Sequence, residues 1–158
     1  QDISTFTIPA TSKTGKNGID NKNYLVAYKT YTLGKRIFSP RSSTKVDSQF
    51  SERLAADGFG FDVDHSRNLD GLHPITNETY EVKGTGFSNN TAHFNPNNKA
   101  DHVIWIKVTP TDVIIKEIST TIYNSLPSVL AGERASITLD AYLKSNPSDL
   151  ISSVSFTY

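Results

Sequence analysis

The sequence predicts a mixed α/β chain of the α+β kind, in which one helix is followed by a β-meander and a mixed central sheet. Three observations carry that expectation. Residues 44–56 place Val46, Phe50, Arg53 and Leu54 at three- and four-residue spacings, the period of a helix with one buried face. The stretches GFGFDVDHS, NLDGLHP and ETYEVKG are short and separated by turn-forming residues, as in a three-strand meander. His102–Thr109 and Val113–Ser119 are dense in Val and Ile, and Pro110, Thr111 and Asp112 join them as a hairpin.

The helix takes Ser43 or Thr44 as its N-cap, and Gly58 follows its end. Ahead of it, residues 1–23 are mostly Thr, Ser, Lys, Asn and Gly without sustained periodicity, and read as an irregular polar arm. Residues 24–158 then form a single domain. Within it, Asn23–Leu33 (NYLVAYKTYTL) suits a strand by its aromatic and β-branched content and a helix by the spacing of Leu25, Tyr28 and Tyr31, and both readings stand. Beyond the hairpin come a polar turn around Gly132, a strand at Ala135–Leu139 and a short helix at Ala141–Lys144 before Pro147.

A chain of 158 residues has the size of one compact domain, burying about 70% of its unfolded surface. Apolar residues at 36% and charged residues at 20% place it among folded rather than disordered chains. The absence of cysteine excludes disulfides, thiolate zinc sites and a thiol nucleophile. Sixteen basic and sixteen acidic residues cancel, so any attraction for a polyanion must come from local charge distribution. No apolar run approaches the roughly 20 residues of a membrane span, and Gln1–Thr7 lacks the regions of a secretory signal. The expectation is a soluble, cytoplasmic protein with no membrane partner. The lack of any methionine is compatible with a trimmed fragment.

The chemistry concentrates in Leu69–Lys83, LDGLHPITNETYEVK. Pro74, Ile75, Thr76 and Asn77 suit a hairpin loop, and a register with His73 facing Glu78 puts Asp70 across from Glu81. Facing Cβ atoms lie about 4.5–5.5 Å apart, and Lys83, two residues on, shares the face of Glu81. Two carboxylates so placed repel unless a counter-charge intervenes. A divalent cation resolves the conflict, and Mg²⁺, which favours a few carboxylates plus phosphate oxygens and water, suits a site for a phosphodiester.

Asp70 followed by Glu81-Val82-Lys83 and Gly84-Thr85-Gly86 resembles the PD-(D/E)xK signature of type II restriction endonucleases, with Leu69 in place of the leading proline. The resemblance extends over roughly residues 44–119, from a helix bearing an acid, Glu52, to the β-hairpin after the meander. It implies a restriction-endonuclease-like core and a Mg²⁺-dependent deoxyribonuclease acting on double-stranded DNA as a homodimer and leaving 5'-phosphate ends. It assigns Asp70 and Glu81 as metal ligands and Lys83 as the group that orients or activates the attacking water. The acidic-x-Lys triplet alone carries little, since about one is expected by chance in a chain of this size, and Asp20-Asn21-Lys22 is another.

Other residues compete for these roles. Asp62 in Gly60-Phe61-Asp62-Val63-Asp64 is an alternative first metal ligand, Asp64 a solvent-face residue, and Glu52 a surface acid more than a ligand. His65, His73, His93 and His102 lack the spacing of common zinc sites. Asp64-His65 opens a loose HNH-type pattern, with His65 as general base and Asn89, His93 or Asn97 further on. Ser88–Lys99 reads as an Asn-rich loop in which Asn95, Asn98 and Lys99 are candidate DNA contacts. Asn77-Glu-Thr and Asn89-Asn-Thr match the glycosylation sequon by chance, and Trp105 belongs to the core. In a different class stands a non-catalytic β-rich binding module, in which Asp70, Glu81 and Lys83 are surface charges.

Overall fold

The computed structural model describes residues 46–86, 89–109 and 111–157. The polar arm, the Asn23–Leu33 segment and the candidate caps Ser43 and Thr44 lie outside the described residues. Helix α1 runs Ser48–Phe59, opened by Asp47, whose carboxylate accepts a hydrogen bond from Gln49 N–H at 2.8 Å. It closes at Gly60, which has φ 78° and donates its N–H to the Ala56 carbonyl. The helix thus starts and ends roughly one turn later than the sequence predicts. Asp47 is as competent a cap as a serine or threonine. Gly58 costs only about 1 kcal/mol inside a helix, a cost offset by burial of Phe59 to 2% exposure.

The strands are β1 (Asp62–Val63), β2 (Gly71–Leu72), β3 (Thr79–Thr85), β4 (Thr91–Phe94), β5 (His102–Val108), β6 (Asp112–Ile118), β7 (Ala135–Thr138) and β8 (Leu150–Thr157). Six of them form one mixed sheet in the order β1-β2-β3-β5-β6-β8, in which β3 and β5 run parallel and every other pair is antiparallel. The expected meander is β1-β2-β3, and the expected hairpin is β5-β6, with Asp112 inside the strand. Helix α2 (Leu139–Ser145) follows β7, close to the short helix read from the sequence.

Two strands escaped the sequence reading. Within Ser88–Lys99, taken as a loop, Thr91–Phe94 is β4, which pairs antiparallel with β7 in a separate two-stranded ribbon. Ala92 and Phe94 alternate inward and are buried, a period-two signal too short to stand out among asparagines. The other is β8, whose serines hide a strand that only pairing with β6 makes necessary.

The sheet is covered on both faces, which explains the unbroken apolar run in β5. On one face Phe50, Leu54 and Phe59 of α1 pack with Val82, Ile104, Ile106 and Ile115. On the other, Val103, Trp105 and Ile118 pack with Phe94, Ile122, Leu139 and Leu143. Trp105 is core, as expected, and its indole N–H donates to Thr85 Oγ1 at 2.8 Å. Among the described residues no helix is long and apolar enough to cross a membrane.

A stack of rings ties the meander to β5: Phe61 on Tyr80 at 4.1 Å between centroids, and Tyr80 on His102 at 4.6 Å. Gly71 is required beneath it, because a Cβ there would lie 2.3 Å from the Phe61 ring. His102 Nδ1 meets Glu117 Oε2 at 3.0 Å and Nε2 meets Glu78 Oε2 at 2.8 Å. The hydrogen bond to Glu117 leads, over opposing burial, in raising the His102 pKa above 6.5. A raised histidine stabilises the fold fully below its unfolded pKa, and that contribution is lost as pH rises through the folded value. Urea unfolding of wild type should therefore lose stability from pH 6 upward more steeply than His102→Gln does; parallel profiles would show that the imidazole adds no such coupling.

Candidate active site

The β2–β3 hairpin sets the geometry. Gly71 pairs with Tyr80 and Leu72 with Thr79, while Asp70 N–H donates to the Tyr80 carbonyl at 2.9 Å and His73 N–H to the Glu78 carbonyl at 2.8 Å. This is the register in which Asp70 neighbours Glu81. The loop is closed locally: Asn77, at φ 61°, donates its N–H to the His73 carbonyl at 3.0 Å. His73 Nδ1 accepts from the N–H groups of Ile75 and Thr76, each at 3.2 Å.

Where β2 stops pairing, the Asp70 side chain takes over the ladder, its Oδ2 accepting Val82 N–H at 2.7 Å. Alternation along β3 puts Glu81 and Lys83 on one face, with Nζ 2.6 Å from Glu81 Oε1 and the two side chains only 14% and 16% exposed. Lys83 also sits 5.0 Å above the Phe94 ring, so β4, absent from the sequence reading, helps hold the ammonium.

Burial raises the pKa of Asp70; the Val82 N–H opposes this and the Glu52 charge adds to it. Burial likewise raises Glu81, against Lys83 and together with the Asp70 charge. The Asp70 carboxyl thus feels the charges of both Glu52 and Glu81, and like charges so close disfavour ionisation of the set. This is a crowded set of acids that one lysine does not neutralise.

Glu52 corrects the reading of a surface acid. Its side chain is 12% exposed, and Oε2 lies 3.0 Å from His65 Nε2. Ligand atoms of Glu52, His65 and Asp70 all lie within 4.8 Å of one another. The loop carrying His65 is pinned by Asp64, whose Oδ1 accepts Ser66 N–H at 2.8 Å. The Ser66 hydroxyl, and after it that N–H, hold the Asp64 carboxyl below its usual range. Glu52 and His65 meet only through packing of α1 against the meander, which spacing along the chain does not encode.

Asp62 is not in this group. It is exposed on β1 and pairs with Leu72, two residues or about 7 Å along the strand from the position of Asp70. The candidate DNA contacts also have local duties. Asn98 Nδ2 donates to the carbonyls of Arg67 and Asn68, each at 3.0 Å, and Asn95 Oδ1 accepts Asn97 N–H at 2.9 Å, whereas Lys99 is exposed. Asn98 therefore braces the loop that follows His65, and Asn95 closes its own turn. Of the HNH-type set, His65 is bonded to Glu52 and His93 to Ser136 on the separate ribbon.

The donor set fits a hard divalent cation. Asp70 and Glu52 offer carboxylate oxygens whose repulsion such an ion would relieve, and His65 offers a nitrogen beside them, while Glu81, engaged by Lys83, lies outside that three-residue group. No protein-family model, curated protein or solved structure matches the chain.

A carboxyl whose folded pKa is raised stabilises the fold below its unfolded value of 3.8 and loses that contribution as pH rises through the folded value. At neutral pH, ionised Asp70 is thus a net cost. Asp70→Asn, which keeps an acceptor for Val82 N–H, should raise Tm at pH 7 in chelator, by about 2–4 °C per kcal/mol released. Added Mg²⁺ should raise the Tm of wild type and not of the variant. Differential scanning fluorimetry checks both; a lower Tm for the variant in chelator would contradict the assignment of strain to this carboxyl.

Proposed function

We propose that the chain is a Mg²⁺-dependent DNA endonuclease with a restriction-endonuclease-like core made of α1, the β1-β2-β3 meander and the β5-β6 hairpin. The observation that carries this reading is the Asp70 carboxyl, whose Oδ2 accepts Val82 N–H between Glu81 and Lys83, set beside that carboxylate–ammonium pair, whose side chains are only 14% and 16% exposed. A binding module has no use for such repulsion, and burying uncompensated like charges is expensive. A hydrolase uses it to hold a cation.

In this reading Asp70 and Glu81 hold Mg²⁺, with Glu52 beside them, and the ion supplies Lewis acidity toward a phosphodiester. Lys83 orients the attacking water and stabilises the negative charge that builds on the phosphoryl group. Phe94 beneath it and Glu81 beside it fix its position. Water oxygen bonds to phosphorus, the bond to the 3'-oxygen breaks, and that oxygen leaves with a proton. The ends are a 5'-phosphate and a 3'-hydroxyl. Cleavage of both strands at a symmetric site would be shared by two copies of the chain as a homodimer.

Nicking of supercoiled plasmid in Mg²⁺ tests the reading. Lys83→Ala should lose about 10²–10³-fold in rate, and Asp70→Asn should be inactive, whereas Asp62→Asn should stay close to wild type. Glu52→Gln should raise the Mg²⁺ concentration needed for half-maximal rate by about 10–100-fold. Wild-type rates in Lys83→Ala remove the lysine from the chemistry, and inactivity confined to Asp62→Asn transfers the ligand role to β1.

A further inference from the structure

On β3, strand β2 covers only Thr79 and Tyr80. Beyond the point where Asp70 accepts Val82 N–H, the same edge of β3 borders a cleft of about 410 Å³, a volume within the usual range for ligand sites. Its floor is Val82–Gly86; one wall is Ser48 and Ser51 at the start of α1, and the other is β4 with Arg134. Lys83 lines the cleft as well as touching Glu81, so the cleft and the acidic cluster adjoin.

The charge is segregated. The chain as a whole has zero net charge, yet among the described residues the cleft is lined by Lys83, His93 and Arg134 and by no Asp or Glu. Arg134 is exposed, and no carboxylate of the described residues pairs with it. His93 Nδ1 lies 2.8 Å from Ser136 Oγ. With the hydroxyl donating, the imidazole carries its proton on Nε2, a donor for a ligand. Strand N–H groups alternate in direction, so Gly84 N–H points to the same side as Val82 N–H. Guanidinium, imidazole, ammonium and backbone N–H are the donors that phosphate oxyanions select.

We propose that this cleft is a phosphate subsite, in which Arg134 and His93 hold the DNA backbone next to the scissile phosphodiester and lead it past Lys83 to the acids. The inference rests on the nuclease reading and deepens it, since an acidic cluster alone repels a polyanion. Here the strand is drawn by the cleft, and the reacting phosphate is delivered to the carboxylates with its neighbours already neutralised.

Fluorescence anisotropy with a short labelled DNA duplex in chelator, over a series of salt concentrations, tests this. Arg134→Ala should weaken binding about tenfold at low salt and lower the slope of log K against log salt by about 1. Arg134→Lys should keep the slope, His93→Ala should weaken binding to a lesser degree, and Lys144→Ala on exposed α2 should change neither. Unchanged affinity and slope in Arg134→Ala, with wild type binding DNA and nicking plasmid, overturn the subsite and leave the nuclease reading intact. Equal losses in Arg134→Ala and Lys144→Ala reduce the effect to net charge and also overturn it. Absence of duplex binding by wild type overturns both, even where inorganic phosphate still binds through Arg134. Because Arg134 is exposed, a matching Tm separates lost contacts from lost fold.

Discussion

The pairing of β2 with β3 is the constraint from which the site follows. Strand side chains alternate, so a slip of one residue would turn Glu81 and Lys83 to the α1 side and bring Val82 to the acids. Several features prevent the slip: the His73-closed loop, the Asp70–Tyr80 backbone bond, the Val82 N–H held by Asp70 Oδ2, and the Gly71 notch under the Phe61 ring. The Phe61–Tyr80–His102 stack carries the same register into β5. A short hairpin is weak alone, and here it is clamped by a sheet buried on both faces.

That rigidity lets the chain keep a destabilising arrangement. Carboxyls whose pKa values are raised by burial oppose folding at neutral pH, and they persist because the two apolar clusters outweigh them. The same packing removes water from around Lys83 and strengthens its interaction with Glu81. Basic groups lie instead along the open edge of β3, where a polyanion can reach them. Neutral composition thus conceals an acidic pole and a basic cleft side by side.

What the sequence made legible was local. The Asp70–Glu81 register follows from a Pro-initiated turn and strict alternation over a dozen residues, and the β5–β6 hairpin from apolar density. The limits of α1 were displaced because Asp47 competes equally with Ser43 and Thr44 as a cap and because Gly58 is tolerated before a buried Phe59. Glu52 and His65 join Asp70 through the packing of a helix on a loop, a contact with no periodic signature. Phe94 and Arg134 are separated from Lys83 in sequence by strands and turns, and β4 is too short to declare itself. Asn98, read as a base contact, also braces the His65 loop through the Arg67 and Asn68 carbonyls, a use of the same amide donor that composition cannot distinguish.

In the proposed function the acids around Asp70 are gathered to hold a cation. Crystals grown with Mn²⁺ in place of Mg²⁺ and measured for anomalous scattering test it most directly. A peak within coordination distance of the Asp70 and Glu81 carboxylates is expected, lost in Asp70→Asn. A well-ordered site without that peak at saturating Mn²⁺, or a peak confined to carboxylates elsewhere, would contradict it.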